Sequence, residues 1–194
     1  MAFRAPKKRE PLAERELFEY AVGALARRMR SVRDLRRLMR TRAEEGDPGE
    51  RAMDAVCTRL KELGYLSDTR FAADYTRLRK ENEKFGRRRV QQDLMQKGVQ
   101  KELIATTLAT AYDEVDEVGL ARQYVARKRM KKPSGVNAQK ETARVMGRLL
   151  RAGFSSNSIY KVLREWDLPE EAMPVEGGAD SDSYAERDDD LPDF

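Results

Sequence analysis

The sequence predicts an all-α fold of three tandem three-helix repeats, stacked into an elongated molecule able to curve and followed by a disordered acidic C-terminal tail. Three observations predict it. The strong helix formers Leu, Ala, Arg, Lys, Glu and Met dominate the chain up to about residue 167, and only 7% of residues are aromatic. A balance of 40% hydrophobic to 38% charged residues is too apolar for wholesale disorder and too charged for one thick globule, so it suits thin helical layers. Finally, an apolar pattern centred on a glycine recurs at a constant offset of 55 residues, the mark of a repeat architecture.

Residues 1–12, with Arg4, Lys7, Lys8 and Arg9, read as a disordered basic leader. The first repeat is expected over residues 13–66. Its opening helix starts near Ala13 and carries Leu17, Phe18, Ala21 and Leu25 at helical spacing. Ser31-Val32-Arg33-Asp34 has capping-box spacing and begins a second helix marked by Leu35, Leu38 and Met39. For the third helix, Asp47 reads as N-cap, Pro48 as first residue and Glu50 as acidic third residue, followed by the apolar series Met53, Val56, Cys57, Leu60 and Leu63. This repeat carries eight extra residues around Arg42 to Gly49.

The second repeat, residues 67–112, opens at Ser67-Asp68 with Phe71, Ala72, Tyr75 and Leu78, then shows Val90, Leu94, Met95, Gly98, Val99, Ile104 and Leu108. The third, residues 113–167, opens near Asp113 with Leu120, Ala121, Tyr124 and Val125. After the Pro133-Ser134-Gly135 loop it repeats the pattern as Val145, Leu149, Leu150, Gly153, Phe154, Ile159 and Leu163. A glycine free to take positive φ, followed by an apolar residue, is what a Schellman helix end requires. Ser155 or Ser156 caps the last helix, and Asp113, Glu114, Asp116 and Glu117 place negative charge at a helix start. Residues 168–194, rich in Pro, Gly, Ser and Asp, read as the disordered tail.

Composition excludes most enzyme chemistry. There is no histidine, and one cysteine can build neither an intrachain disulfide nor a zinc site; Cys57 sits on an apolar helical face as a core residue. Neither a Gly-x-x-x-x-Gly-Lys-Ser/Thr loop nor a Gly-x-Gly-x-x-Gly turn is present. No catalytic residue, cofactor or metal is therefore expected. Magnesium on Asp113, Glu114, Asp116 and Glu117, or on Asp188-Asp189-Asp190, is the one opening for a nuclease, and helix-start acidity explains the first group better. No apolar run has the length of a membrane span or a signal-peptide core, so a cytoplasmic monomer without membrane contact is expected.

The overall charge of +5 conceals a split, since residues 170–194 hold ten carboxylates against Arg187. That leaves 38 basic and 24 acidic residues, a net +14, in residues 1–169. The cations come in three bursts at matching places in the repeats. The candidate nucleic-acid or filament-binding residues are Arg28, Arg33, Arg36, Arg37 and Arg40 in the first; Arg77, Arg79, Arg87, Arg88, Arg89 and Lys97 in the second; and Arg127, Arg129, Lys131, Lys132, Arg144 and Arg148 in the third. One charge run is usually a solvated face; recurrence in register points to a surface for polyanions. With phosphate contacts and no evident base-reading set, binding to naked single-stranded DNA should be weak, indifferent to sequence and salt-sensitive. Gly86-Arg87-Arg88-Arg89 reads either as a helix start able to hold an anion or as a glycine that merely permits a turn. The aromatic residues, Tyr65 among them, sit mostly at core or cap positions and do not suggest base stacking.

Leu63-Gly64-Tyr65-Leu66-Ser67-Asp68-Thr69-Arg70-Phe71-Ala72, followed by Phe85-Gly86-Arg87-Arg88-Arg89-Val90 and Lys97-Gly98-Val99, resembles the RecX family of bacterial recombinase regulators. Arg28-x-x-Ser31-x-x-x-Leu35 is similar to a further family element, with Asp34 in its acidic place. The resemblance is strongest over residues 17–112 and continues in register to about 166. It implies tandem three-helix repeats, a cytoplasmic role in DNA repair and the SOS response, no catalytic residues, and binding in the groove of RecA filaments on single-stranded DNA to restrain ATP hydrolysis, strand exchange and filament growth. The acidic tail and the insert near residues 42–49 lie outside the family core. The alternative is a helix-turn-helix-like transcriptional regulator that reads a specific DNA sequence through one arginine-rich helix.

Overall fold

The computed structural model describes residues 10–168, which are helical with no strand among them. Of the expected leader, residues 1–12, the first nine lie outside the described residues, as does the expected tail, residues 168–194, beyond Leu168. Leu12, expected in the leader, packs against the core and donates its N–H to the Arg42 carbonyl at 2.8 Å. The described chain packs as two compact units: residues 10–72 with Gln96–Gln100, and Ala73–Met95 with residues 101–168.

The first unit contains α1 (Glu14–Arg27), α2 (Val32–Arg40), α3 (Asp47–Glu62) and the first turn of α4 (Asp68–Glu81). Its core follows from helical spacing: Leu17, Ala21 and Ala24 from α1 meet Leu35 and Met39 from α2 and Met53, Val56, Cys57 and Leu60 from α3, with Leu66 closing the end. Phe18 and Leu25 only flank this core. Cys57 is buried, and loss of water pushes its thiol above the ordinary range, as befits a small core residue. The start of α3 departs from the sequence expectation, because Gly46, not Asp47, is the N-cap. Gly46 takes φ +83° and its carbonyl accepts the Glu50 N–H at 3.2 Å, so the first helical bond closes one residue early and Asp47 and Pro48 both lie in the first turn.

The second unit contains the rest of α4, α5 (Arg87–Gln96) as far as Met95, α6 (Lys101–Tyr112), α7 (Glu117–Arg127), α8 (Ala138–Arg151) and α9 (Ser156–Arg164), with a 3₁₀ turn at Gly135–Asn137. The repeated anchors are buried in both copies: Val90, Leu94, Val99, Ile104 and Leu108 in one, Val145, Leu149, Phe154, Ile159 and Leu163 in the other. Met95 is exposed and Leu150 only half-buried, so the second member of each apolar pair lies off the core face. Gly98 and Gly153 take φ +73° and +90°. At Gly153 both bonds of a Schellman end form: Gly153 N–H to the Leu150 carbonyl at 2.9 Å and Phe154 N–H to that of Leu149 at 3.2 Å. Ser155 caps α9, its Oγ accepting the Ser158 N–H. α7 begins at Glu117, later than the expected Asp113, because α6 runs to Tyr112, whose hydroxyl donates to the Phe85 carbonyl at 2.8 Å.

Candidate nucleic-acid interface

Four contacts fix the start of α2. Buried Ser31 accepts the Asp34 N–H at 3.1 Å and donates to the Lys97 carbonyl at 2.6 Å; Val32 N–H donates to Asp68 at 2.9 Å; and Lys97 pairs with Asp34 at 3.0 Å. The capping serine thus ties α2 to the Lys97–Gly98 turn, while Asp68, opening α4, satisfies a second helix-start donor. A β-carbon placed on Gly98 would lie 2.1 Å from Arg33 Cδ, so the bare glycine makes room for the stem of Arg33.

The result is a cleft of about 600 Å³ lined by Arg33, Arg36, Arg37, Arg40, Lys61, Asp68, Val32, Gly98 and Gln100. Five cations face one carboxylate, and that carboxylate is engaged by the Val32 N–H. The cations divide by role. Arg36 hydrogen-bonds Asp54 and Glu50, and Arg40 pairs with Glu50 at 3.0 Å, so both brace α2 on α3. Arg40, then Arg36, hold the Glu50 carboxyl below its ordinary range. Arg33 and Arg37 are exposed and make no ion pair among the described residues. Guanidinium groups with open forks, beside a cleft wall that carries further positive charge, suit phosphate or carboxylate oxygens. Arg28 is exposed at the end of α1.

In the second unit, adjacent arginines have unlike surroundings. Arg79 and Arg89 flank buried Asp93, with their Nε atoms 3.7 and 3.1 Å from its oxygens. Tyr75 donates its hydroxyl proton to Asp93 at 3.1 Å, and both guanidinium groups lie over the Phe85 ring. Burial, with the Asp93 charge beyond it, pushes the Tyr75 hydroxyl up to about 12. Arg79 and Arg89 therefore hold the fold, whereas Arg87 and Arg88 face solvent.

At the start of α5 two of the backbone donors that an anion would use are already engaged. Gly86 N–H donates to the Ala152 carbonyl at 2.8 Å and Arg88 N–H to that of Gly153 at 3.3 Å, so backbone oxygens take these donors. Gly86 is needed for close approach: a β-carbon there would lie 2.4 Å from the Gly153 oxygen. Arg87 and Arg88 are exposed, as are Arg144, Arg148 and Arg151, spaced along one face of α8. Arg129, at φ +48°, and Lys131 and Lys132 are exposed after α7. Arg77 pairs with Asp74 and Glu81 on its own helix, and Arg127 pairs with Glu83 at 3.3 Å.

Among the described residues no group of His, Cys, Asp or Glu has the arrangement of a metal site, and no helix is long and apolar enough to cross a membrane. Glu117 is occupied structurally, accepting the Ser155 N–H at 2.8 Å and the hydroxyls of Ser155 and Ser158 at 2.6 Å each. Sequence reasoning missed Lys61 and Gln100 as cleft residues and Tyr65 as an exposed one. Lys61 precedes the Gly64 helix end and was readable only as a last-turn cation.

Residues 67–108 match the family model described as RecX, second three-helix domain. A regulatory protein RecX of Thermobifida fusca is 30% identical over 151 residues, covering 75% of this chain and 80% of that protein. The chain belongs to the RecX family. The RecX of Mycobacterium ulcerans is 29% identical over 163 residues, 84% of this chain and 91% of the relative. The crystal structure of RecX from Lactobacillus salivarius shares the fold with a TM-score of 0.58 at 19% identity, covering 79% of this chain and 96% of that one. A second RecX crystal structure has a TM-score of 0.57 at 23% identity, covering 78% and 71%.

Proposed function

We propose that this protein regulates RecA: it binds the RecA filament on single-stranded DNA and restrains ATP hydrolysis, strand exchange and filament growth during DNA repair and the SOS response. The observation that carries the reading is the α2 cleft, where Arg33, Arg37 and Lys61 stand open beside the braced Arg36 and Arg40, in a chain of a family whose members are named as regulatory proteins. The protein acts as a cytoplasmic monomer of three repeats, residues 13–66, 67–112 and 113–167, and has no catalytic role. Each repeat offers a basic face: Arg28, Arg33 and Arg37 in the first, Arg87 and Arg88 in the second, and Arg129, Lys131, Lys132, Arg144 and Arg148 in the third. Several weak contacts in one chain suit a lattice whose binding points also repeat, because each engagement raises the effective concentration for the next. Contact with the DNA backbone adds a salt-sensitive, sequence-indifferent part.

The test is capture of the protein on RecA filaments assembled on single-stranded DNA, with naked strand at equal nucleotide concentration as control. Retention on filaments well above naked strand is the expected result. Equal retention on both would reduce the protein to a general DNA binder, and protection of one sequence on duplex DNA would favour the transcriptional-regulator reading.

A further inference from the structure

Proteins that hold single strands combine a cationic groove that tracks the backbone with aromatic faces on which unpaired bases stack. The α2 cleft supplies the first element and has no aromatic residue in its lining. Among the described residues the exposed large hydrophobics are Met29, Leu63, Tyr65, Met95 and Val136, and of these Tyr65, at 61% exposure, is aromatic.

The reason Tyr65 points outward is local. α3 ends in a Schellman turn, with Gly64 at φ +72°, Gly64 N–H on the Lys61 carbonyl at 3.0 Å and Tyr65 N–H on that of Leu60 at 2.9 Å. The residue after the glycine normally makes the apolar contact that closes such a turn. Here Leu66 makes it instead, 2% exposed, with its own N–H on the Leu60 carbonyl at 3.1 Å. The Arg70 guanidinium donates to the Gly64 carbonyl and holds the turn from the other side. Tyr65 is therefore carried on a fixed backbone, and its ring and hydroxyl have no partner among the described residues. It also stands in the chain between two residues of the cleft wall, Lys61 and Asp68. Lys61 is four residues earlier, and the Gly64 N–H on its carbonyl folds the turn that carries Tyr65 back onto that end of α3, so a strand whose phosphate meets Lys61 can bring a neighbouring base to the ring.

Resting on the reading of the cleft as a nucleic-acid surface, we infer that Tyr65 is a base-stacking platform at the edge of the α2 cleft, which makes this site selective for single-stranded over double-stranded nucleic acid. A duplex offers the cleft its phosphates but keeps its bases stacked within the helix, out of reach of the ring. An unpaired strand offers both. The phenol hydroxyl is not required; the π face is.

The experiment uses the full chain and fluorescence anisotropy with a labelled thymidine oligonucleotide and with a duplex of the same length, across a salt series, comparing wild type, Tyr65→Phe, Tyr65→Ala and the double variant Arg33→Glu/Arg37→Glu. Tyr65→Ala should lose roughly 5- to 100-fold in single-strand affinity, keep duplex affinity within about twofold, and keep the wild-type salt slope because no phosphate contact is lost. Tyr65→Phe should bind like wild type. If Tyr65→Ala binds the single strand as wild type does, or loses both ligands equally, the stacking role is overturned. Loss of filament capture with unchanged DNA affinity would likewise overturn it and make Tyr65 a protein contact. The double variant separates the two levels: should it lose both ligands while Tyr65→Ala loses neither, the cleft reading stands and the platform falls; should it also lose nothing, the cleft is not the nucleic-acid surface.

Discussion

Replacing Arg87, Arg88 and Arg89 one at a time with alanine should give sharply unequal losses of stability, although the three are neighbours in sequence. Arg89 is 29% exposed, its Nε lies 3.1 Å from Asp93, and its guanidinium lies over Phe85 at 5.6 Å. Asp93 is 8% exposed, so its charge needs compensation within the protein. Removing one partner of a fully buried pair costs about 3–5 kcal/mol. Here Arg79 at 3.7 Å and the Tyr75 hydroxyl at 3.1 Å remain on Asp93, and Arg89 is partly wet, which brings the expected loss to about 1.5–3 kcal/mol. At about 2–4 °C per kcal/mol for a chain of this size, Tm should fall by roughly 3–12 °C for Arg89→Ala. Arg87→Ala and Arg88→Ala, at solvent-facing sites, should stay within about 0.5 kcal/mol. Thermal unfolding followed by circular dichroism, with urea midpoints as a second measure, reads the difference. Equal losses at the three sites, or an Arg89→Ala protein as stable as wild type, would refute the division of these arginines into structural and surface groups.

Two glycine substitutions should have opposite signs: Gly153→Ala meets φ +90° and the Arg89 nitrogen at 2.2 Å and should cost about 2–5 kcal/mol, whereas Gly147→Ala, inside α8 with its nearest neighbour Arg151 Nη1 at 3.5 Å, should gain up to about 1 kcal/mol. Chemical denaturation of both variants checks this. At Glu117, burial alone would raise the carboxyl pKa, but hydrogen bonds from Ser155 and Ser158, with Arg88 beyond, together bring it below the ordinary 4.5. A depressed folded pKa contributes stability that is present above the unfolded value and lost as pH falls through the folded one, so Glu117→Gln should be less stable than wild type at pH 7 and the gap should narrow below about pH 4.5 in Tm-against-pH scans. Deleting residues 170–194 removes ten carboxylates and one arginine and leaves a body of net +14, which should raise affinity for naked DNA at low salt by an amount that shrinks as salt rises; equal affinities across the salt series would count against competition by the tail.

The repeat anchors were legible because they depend on local periodicity: Val90, Leu94, Ile104 and Leu108, and their counterparts 55 residues on, each face the core of a helix pair whose glycine end is set by neighbouring residues. Ser31 and Ser155 were legible as caps for the same reason, each bonding an N–H three residues away. What escaped is decided by residues distant in the chain. Gly86 answers to Ala152 and Gly153, which cross its path, and nothing within its own helix discloses them. Arg89 parts from Arg87 and Arg88 because Asp93 and Phe85 lie on its side of α5, and a run of like charges gives no sign of which member turns inward. Tyr65 escaped because either residue after Gly64 could have filled the apolar place at the end of α3, and packing gave it to Leu66. The candidate site was thus visible as a surplus of charge, while the division of its arginines, Arg33 and Arg37 open and Arg36 and Arg40 braced on α3, required the positions of Glu50 and Asp54.

The most direct test of the functional account is the steady-state ATPase of RecA filaments preformed on single-stranded DNA, titrated with wild type and with Arg33→Glu/Arg37→Glu, whose folding is first confirmed by circular dichroism. Wild type should slow hydrolysis as it saturates the filament, and the folded double variant should need roughly tenfold more protein or higher for the same effect, since loss of one engaged face weakens every multivalent encounter. Equal inhibition by the two proteins would contradict the cleft as the binding surface, and a wild-type protein that leaves hydrolysis unchanged at saturating concentration would contradict restraint of RecA itself.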